Sequence, residues 1–212
     1  MLKKFKKIII LAPHIDDGEL GCGGTITKFI KEKKEVFYVA FSSVEKSIPK
    51  GFSKDIRKKE IENAVKILGL PPQNLILFNY EIRCFSDYRQ KILDDMIKIN
   101  KNIKPDLVIL PSTYDTHQDH QVISQEGFRA FKNTSILGYE VPWNNLTFKT
   151  DAFVVLNDYY ISKKVKALLC YKSQMDKFYM SEEFAKSLAI ARGIQINNNY
   201  AEAFEVIRWI IK

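Results

Sequence analysis

Ile8-Ile9-Ile10-Leu11-Ala12-Pro13-His14-Ile15-Asp16-Asp17 is the stretch on which the fold turns. Apart from Lys7, residues 7–12 are apolar without alternation, so the strand they predict is buried on both faces. Chemically able side chains follow at once. Working outward, residues 35–43 are rich in β-branched and aromatic types, and residues 75–78 and 107–110 repeat the short apolar run. Amphipathic segments separate these runs. The clearest carries Ile56, Ile61, Ala64, Val65 and Leu68 on one stripe, with Ser53 as N-cap and Gly69 as stop before Pro71-Pro72. Another spans about residues 87–102, burying Ile92, Leu93, Met96, Ile97 and Ile99, and a fourth follows residue 116 through Val122, Ile123 and Phe131. The order β-α-β-α-β-α-β-α predicts an α/β fold, a doubly wound and mostly parallel sheet with helices on both faces.

Beyond residue 134 the pattern is less regular. Residues 135–141 and 153–156 read as strands, 158–171 and 181–191 as helices, and 201–211 as either. No repeat or Pro/Gly/Ser-rich linker interrupts the chain. The expectation is one domain over 1–212, with a motif-bearing core over about 1–134 and a pocket elaboration over about 135–212.

The 212 residues are 46% hydrophobic and 27% charged, a globular balance that excludes a disordered chain, a collagen or a coiled coil. No apolar run approaches the roughly 20 residues of a membrane span, and residues 8–12 are too few for a signal-peptide core. The cytoplasm is the expected compartment. Cys22, Cys84 and Cys170 are dispersed and odd in number, which suits reduced thiols. The formal charge of +8 would favour anionic partners such as nucleic acid, phosphorylated sugars or acidic lipids. The cations are scattered, however, and the densest stretch, residues 54–60, includes acids. It reads as a solvated helix face, and no nucleic-acid partner is expected.

The three histidines, His14, His117 and His120, all fall just past predicted strand ends, each close to an Asp. In a doubly wound sheet the first and fourth strands commonly meet where strand order reverses, so these loops should face one crevice. A borderline divalent cation takes imidazole nitrogen and carboxylate oxygen, and catalytic zinc keeps three protein ligands. His14 and Asp17, three apart in a turn, can reach one point, and His120 would complete the set. Asp16 remains as general base. His117 lies three residues before His120, placed for a developing oxyanion or a departing amine, and Asp119 can hold an imidazole by its second nitrogen. The plainer reading makes these residues loop polar groups and helix caps, with Asp115 or Thr116 capping the fourth helix. Gly21, Gly23 and Gly24 lack dinucleotide and P-loop spacing and suit close packing of a helix on the sheet. No G-x-S-x-G elbow is present.

The string from Pro13 to Thr25, P-H-I-D-D-G-E-L-G-C-G-G-T, resembles the opening motif of the PIG-L/LmbE-like N-deacetylase family, which reads A-H-P-D-D-E or P-H-P-D-D-E. His117-Gln118-Asp119-His120 resembles its second motif, H-P-D-H or H-Q-D-H, and weaker likeness continues through Tyr171-Lys172-Ser173-Gln174. The resemblance implies a Rossmann-like fold and zinc-dependent removal of an acetyl group from an N-acetylglucosamine-type sugar, with phosphate- and nucleotide-linked forms among the candidates. It implies His14, Asp17 and His120 as zinc ligands, Asp16 as general base, a protonated His117 as oxyanion stabiliser and Asp119 as its partner. Two departures stand out: Ile15 replaces the usual Pro, and Gly18 replaces the Glu that ends the motif. Arg83 and Arg192 are candidate substrate-binding residues, and Tyr114, Tyr139 and Trp143 are candidate stacking surfaces. Hydrolysis of another bond, or an impaired sugar-binding member, are the alternatives.

Overall fold

Seven strands form one sheet in the computed structural model, which describes residues 5–43 and 48–211. β1 (Lys7–His14), β2 (Glu35–Ser42), β3 (Leu75–Leu77), β4 (Leu107–Pro111) and β5 (Ser135–Tyr139) are parallel. β7 (Tyr200–Arg208) joins β5 antiparallel, and β6 (Ala152–Leu156) joins β7 antiparallel. The spatial order is β3-β2-β1-β4-β5-β7-β6. Strand order therefore reverses between β1 and β4, where such sheets place their ligands. The α/β, doubly wound expectation holds.

The helices are α1 (Asp17–Lys31), α2 (Ile56–Leu68), α3 (Arg89–Ile103), α4 (Gln118–Ala130), α5 (Asp158–Leu168) and α6 (Glu182–Ile194). The unbroken apolar run of β1 now has its reason. Ile8 and Ile10 pack into the core shared with α1, α2 and α5, while Ile9 and Leu11 pack into the one shared with α3 and α4. Close packing also explains Gly21, where a Cβ would lie 2.2 Å from the Tyr139 ring.

One open alternative is settled and two expectations are corrected. Residues 201–211, read as either helix or strand, are the strand β7 up to Arg208. Its Ala and Glu residues are good helix formers, and tertiary bonds override them. Glu202 accepts from the amides of Gly24 (3.0 Å) and Thr25 (2.7 Å), which restart α1 after its kink at Cys22, and pairs with buried Lys164 at 2.7 Å. Glu205 accepts from Ser112 Oγ and the Thr113 amide, both at 2.8 Å. Secondly, α2 has Asp55 at its N-cap, not Ser53. Thirdly, residues 54–60 are not wholly a solvated face. Arg57 and Glu60 are buried, in line with Ile61 and Ala64 four residues on.

Candidate metal centre and its pocket

His14 is the last residue of β1 and Asp17 the first of α1, so one tight turn carries both. His120 lies in the first turn of α4, beyond the neighbouring strand β4. The two segments meet at the switch point. Asp17 Oδ2 lies 3.1 Å from His14 Nδ1 and 3.2 Å from His120 Nε2, and those two nitrogens are 3.4 Å apart. Three ligands held about 2.0–2.2 Å from one tetrahedral ion would stand roughly 3.3–3.6 Å from one another, a few tenths of an ångström beyond the two shorter separations here. The donor set therefore fits a borderline divalent cation.

The far side of each imidazole is pinned. His14 Nε2 is 2.9 Å from Asp119 Oδ2, and His120 Nδ1 is 2.7 Å from Asp115 Oδ2. Each carboxylate takes the ring N–H, which leaves the inward nitrogen as a lone pair for a metal. This network fixes the tautomers. Burial opposes a charge on His14, but Asp17 and Asp119 overcome it and carry its pKa to about 9. Burial likewise opposes one on His120, and Asp17 and Asp115 carry it to about 10. Asp17 is held well below the usual range, because the two imidazoles outweigh its burial. A site that draws protons this strongly draws a dication for the same reason, and protons compete with it.

His117 corrects two expectations. It is itself the N-cap of α4, its Nδ1 accepting the Asp119 amide at 3.1 Å, so the N–H is on Nε2. Burial, then His120 and His14, lower its pKa to about 4. It is a neutral imidazole with one N–H, not an imidazolium. The Asp119 carboxylate supports His14, not His117; it also accepts from the amides of Arg83 (2.7 Å) and Phe85 (3.3 Å). The three histidine rings still share one place, with a nitrogen of each within 4.8 Å of the others.

Asp16 Oδ2 accepts from Gln174 Nε2 at 2.7 Å. Burial and the adjacent Asp17 push its pKa up to about 6, near what a general base needs at neutral pH. The departure at Gly18 has a physical counterpart. Any Cβ there would lie 2.6 Å from the Tyr38 ring, and the Tyr38 hydroxyl accepts the Gly18 amide at 3.1 Å. Tyr38 occupies the space of the missing side chain. Glu19 does not face the metal ligands; its carboxyl is buried between the hydroxyls of Tyr38 (2.5 Å) and Tyr171 (2.9 Å).

These groups open on a cavity of ≈ 350 Å³, within the range of small-molecule sites. Arg57, Arg83, Trp143, Gln174, Lys177 and Tyr179 also line it. Arg192 does not: its guanidinium forks onto Glu140 at 2.7 and 2.6 Å. Trp143 stacks on Tyr179 with ring centroids 3.8 Å apart, whereas Tyr139 is fully buried and Tyr114 lies under Lys149. Sequence reasoning missed Arg57 and the clamp of Asp115 on His120. Arg57 was signalled by its place on the α2 stripe. Asp115 had been read only as a cap.

Residues 9–131 match the PIG-L family, described as GlcNAc-PI de-N-acetylase. YaiS of Escherichia coli K12, an uncharacterised deacetylase, is 32% identical over 181 residues, 80% of this chain and 92% of its own. N,N'-diacetylchitobiose deacetylase from Pyrococcus horikoshii, solved with its inhibitor MPG, superposes with a TM-score of 0.81 at 25% identity, covering 97% of this chain and 85% of that one. GalB of Pseudomonas putida KT2440, a 4-carboxy-2-hydroxymuconate hydratase, shares the fold with a TM-score of 0.77 at 18% identity, covering 98% of each chain. Among the described residues no helix is long and apolar enough to cross a membrane.

Proposed function

Because the chain belongs to the PIG-L family of de-N-acetylases, we propose that it removes the acetyl group from an N-acetylated amino sugar, using a divalent cation, zinc foremost, held by His14, Asp17 and His120. The observation that carries this is the triangle of ligand atoms at 3.1, 3.2 and 3.4 Å, with both outward nitrogens taken by carboxylates. A dication there supplies Lewis acidity, polarising an amide carbonyl and making water easier to deprotonate near neutral pH.

The protein's own groups supply the rest. Asp16 takes a proton from the attacking water, with Gln174 fixing its carboxylate. His117 donates its Nε2–H to the oxygen that becomes negative as the carbonyl carbon turns tetrahedral. The amide C–N bond then breaks, Asp16 returns the proton to the leaving nitrogen, and acetate and a free amine result. Gly18 does not break this scheme, since Tyr38 fills the space and Asp16, Asp17 and the histidines keep their contacts. We read 1–212 as one domain in which the segments after residue 134 supply Trp143, Gln174, Lys177 and Tyr179 to the pocket. The three free thiols suit the cytoplasm.

The test is acetate release from N-acetylglucosamine and N,N'-diacetylchitobiose by the zinc-loaded protein. Expected is release that a chelator abolishes and zinc restores. Metal-dependent cleavage of a phosphoester with no acetate from either sugar would replace this reading with another hydrolase.

A further inference from the structure

Glu19 is fully buried and takes no part in the chemistry above. It lies in the first turn of α1, where an acidic side chain suits the helix dipole. Its carboxyl is nevertheless spent on two buried hydroxyls from far along the chain: Tyr38 of β2 at 2.5 Å and Tyr171, beyond α5, at 2.9 Å. The same hydroxyls converge on one backbone oxygen, that of Ile15, at 3.1 Å from Tyr38 and 2.6 Å from Tyr171. Ile15 is buried and lies one residue past the end of β1, and a buried carbonyl needs a donor. Its peptide ends in the Asp16 nitrogen, so the direction of that carbonyl sets how Asp16 leaves the backbone.

The two halves of the turn are held from different sides. His14 and Asp17 are tied through the His14 amide at 2.8 Å, and the two ligand imidazoles are backed by Asp119 and Asp115. Asp16 is held instead by the segment after α5, the string Tyr171-Lys172-Ser173-Gln174. Gln174 holds its carboxylate at 2.7 Å, Tyr171 holds the carbonyl before it, and Ser173 anchors the segment on buried Glu60 at 2.7 and 2.6 Å.

We propose that Tyr171 is a positioning residue for the base: its hydroxyl, braced by Glu19 and Tyr38, fixes the Ile15 carbonyl and with it the aim of the Asp16 carboxylate, while the metal ligands keep their places through other bonds. The inference rests on the deacetylase reading for the role of Asp16. Misplacing a reacting group by about 1 Å can cost about 10²-fold in rate, so a bond two residues removed from the chemistry is felt in turnover.

The test compares the zinc-loaded full chain with Tyr171→Phe and Glu19→Gln. It reads acetate release from N-acetylglucosamine and N,N'-diacetylchitobiose, zinc affinity by competition with a chelator, and the Asp16 side chain in crystals. Expected in Tyr171→Phe is a kcat per folded, zinc-loaded molecule lower by about 10–100-fold, with KM and zinc affinity within about twofold. The Asp16 carboxylate should have left Gln174 Nε2 in those crystals. Glu19→Gln keeps an acceptor for one hydroxyl and a donor for the other, so it keeps the brace and most of the turnover. Tyr171→Phe with Gln174→Ala should cost less than the product of the two single losses, since both act on one carboxylate. Tyr38→Phe, whose contact with Ile15 O is longer at 3.1 Å, repeats the test with a smaller loss. A melting temperature that falls in Tyr171→Phe while the kcat of the folded, zinc-loaded protein holds makes the residue structural and overturns the inference. So does a loss that zinc affinity accounts for, an Asp16 carboxylate that stays in place while turnover falls, or a Glu19→Gln as impaired as Tyr171→Phe. Equal acetate from the parent and Tyr171→Phe sinks the inference and leaves the deacetylase standing. An Asp16 carboxylate displaced in Tyr171→Phe, where the parent releases no acetate from either sugar, does the reverse.

Discussion

The wall of the pocket built by the ends of β1 and β4 and the wall built by the segments carrying Arg83, Trp143 and Lys177 follow opposite rules. On the first, His14, Asp16, Asp17, Asp119 and His120 are all buried and each has a polar partner within about hydrogen-bond reach. On the second, Arg83, Trp143 and Lys177 are exposed, and none of the three side chains has a polar partner among the described residues. A buried polar group left unpaired costs about 1–3 kcal/mol, so the first wall is locked as a unit. Exposed side chains carry no such constraint and can vary one at a time. The buried wall is thus an interlocked network, and the exposed wall is a set of side chains that stand singly.

That contrast can be tested by three substitutions on the locked wall, in falling order of effect. Asp16→Asn should keep the bound metal and lower kcat by about 10²–10⁴-fold, the usual cost of a general base. Full activity in that variant would show that the wall is not a unit and that the base lies elsewhere. Asp119→Asn keeps an acceptor for His14 but removes the charge behind it. Metal affinity, read by competition with a chelator, should fall by about 10–100-fold, while Asp16-dependent chemistry persists once metal is saturating. An affinity unchanged by the substitution would mean that the outward clamp of His14 is only structural. Gly18→Ala should cost about 1–3 kcal/mol in denaturant unfolding, because the new Cβ must displace the Tyr38 ring. The cost should shrink in a Tyr38→Leu background, since the two positions share one space. Additive losses would separate Gly18 from Tyr38.

The same contrast explains what the sequence disclosed. β1 was legible because a strand buried on both faces shows an unbroken apolar run, as Ile8 to Leu11 do. The histidines and aspartates were legible because short spacings, His14 to Asp17 and His117 to His120, place them at two strand ends that the topology makes neighbours. The partner of each imidazole was not, because the choice depends on three-dimensional approach: Asp119 turns to His14, 105 residues away, instead of His117, two away. Arg57 and Glu60 were obscured by charge on a stripe that is otherwise apolar, although Glu60 is buried to accept the amide (2.7 Å) and hydroxyl (2.6 Å) of Ser173. β7 was ambiguous because its Glu residues act as distant caps, and no local pattern records that. Arg192 and Arg83 looked alike in sequence, yet one is consumed by Glu140 and the other faces the cavity.

Anomalous diffraction at the zinc edge from crystals grown with zinc tests the central claim most directly. The account predicts one ion within about 2.0–2.2 Å of His14 Nδ1, Asp17 Oδ2 and His120 Nε2, with His117 outside its coordination. An ion bound without Asp17, or at none of these three atoms, would contradict it.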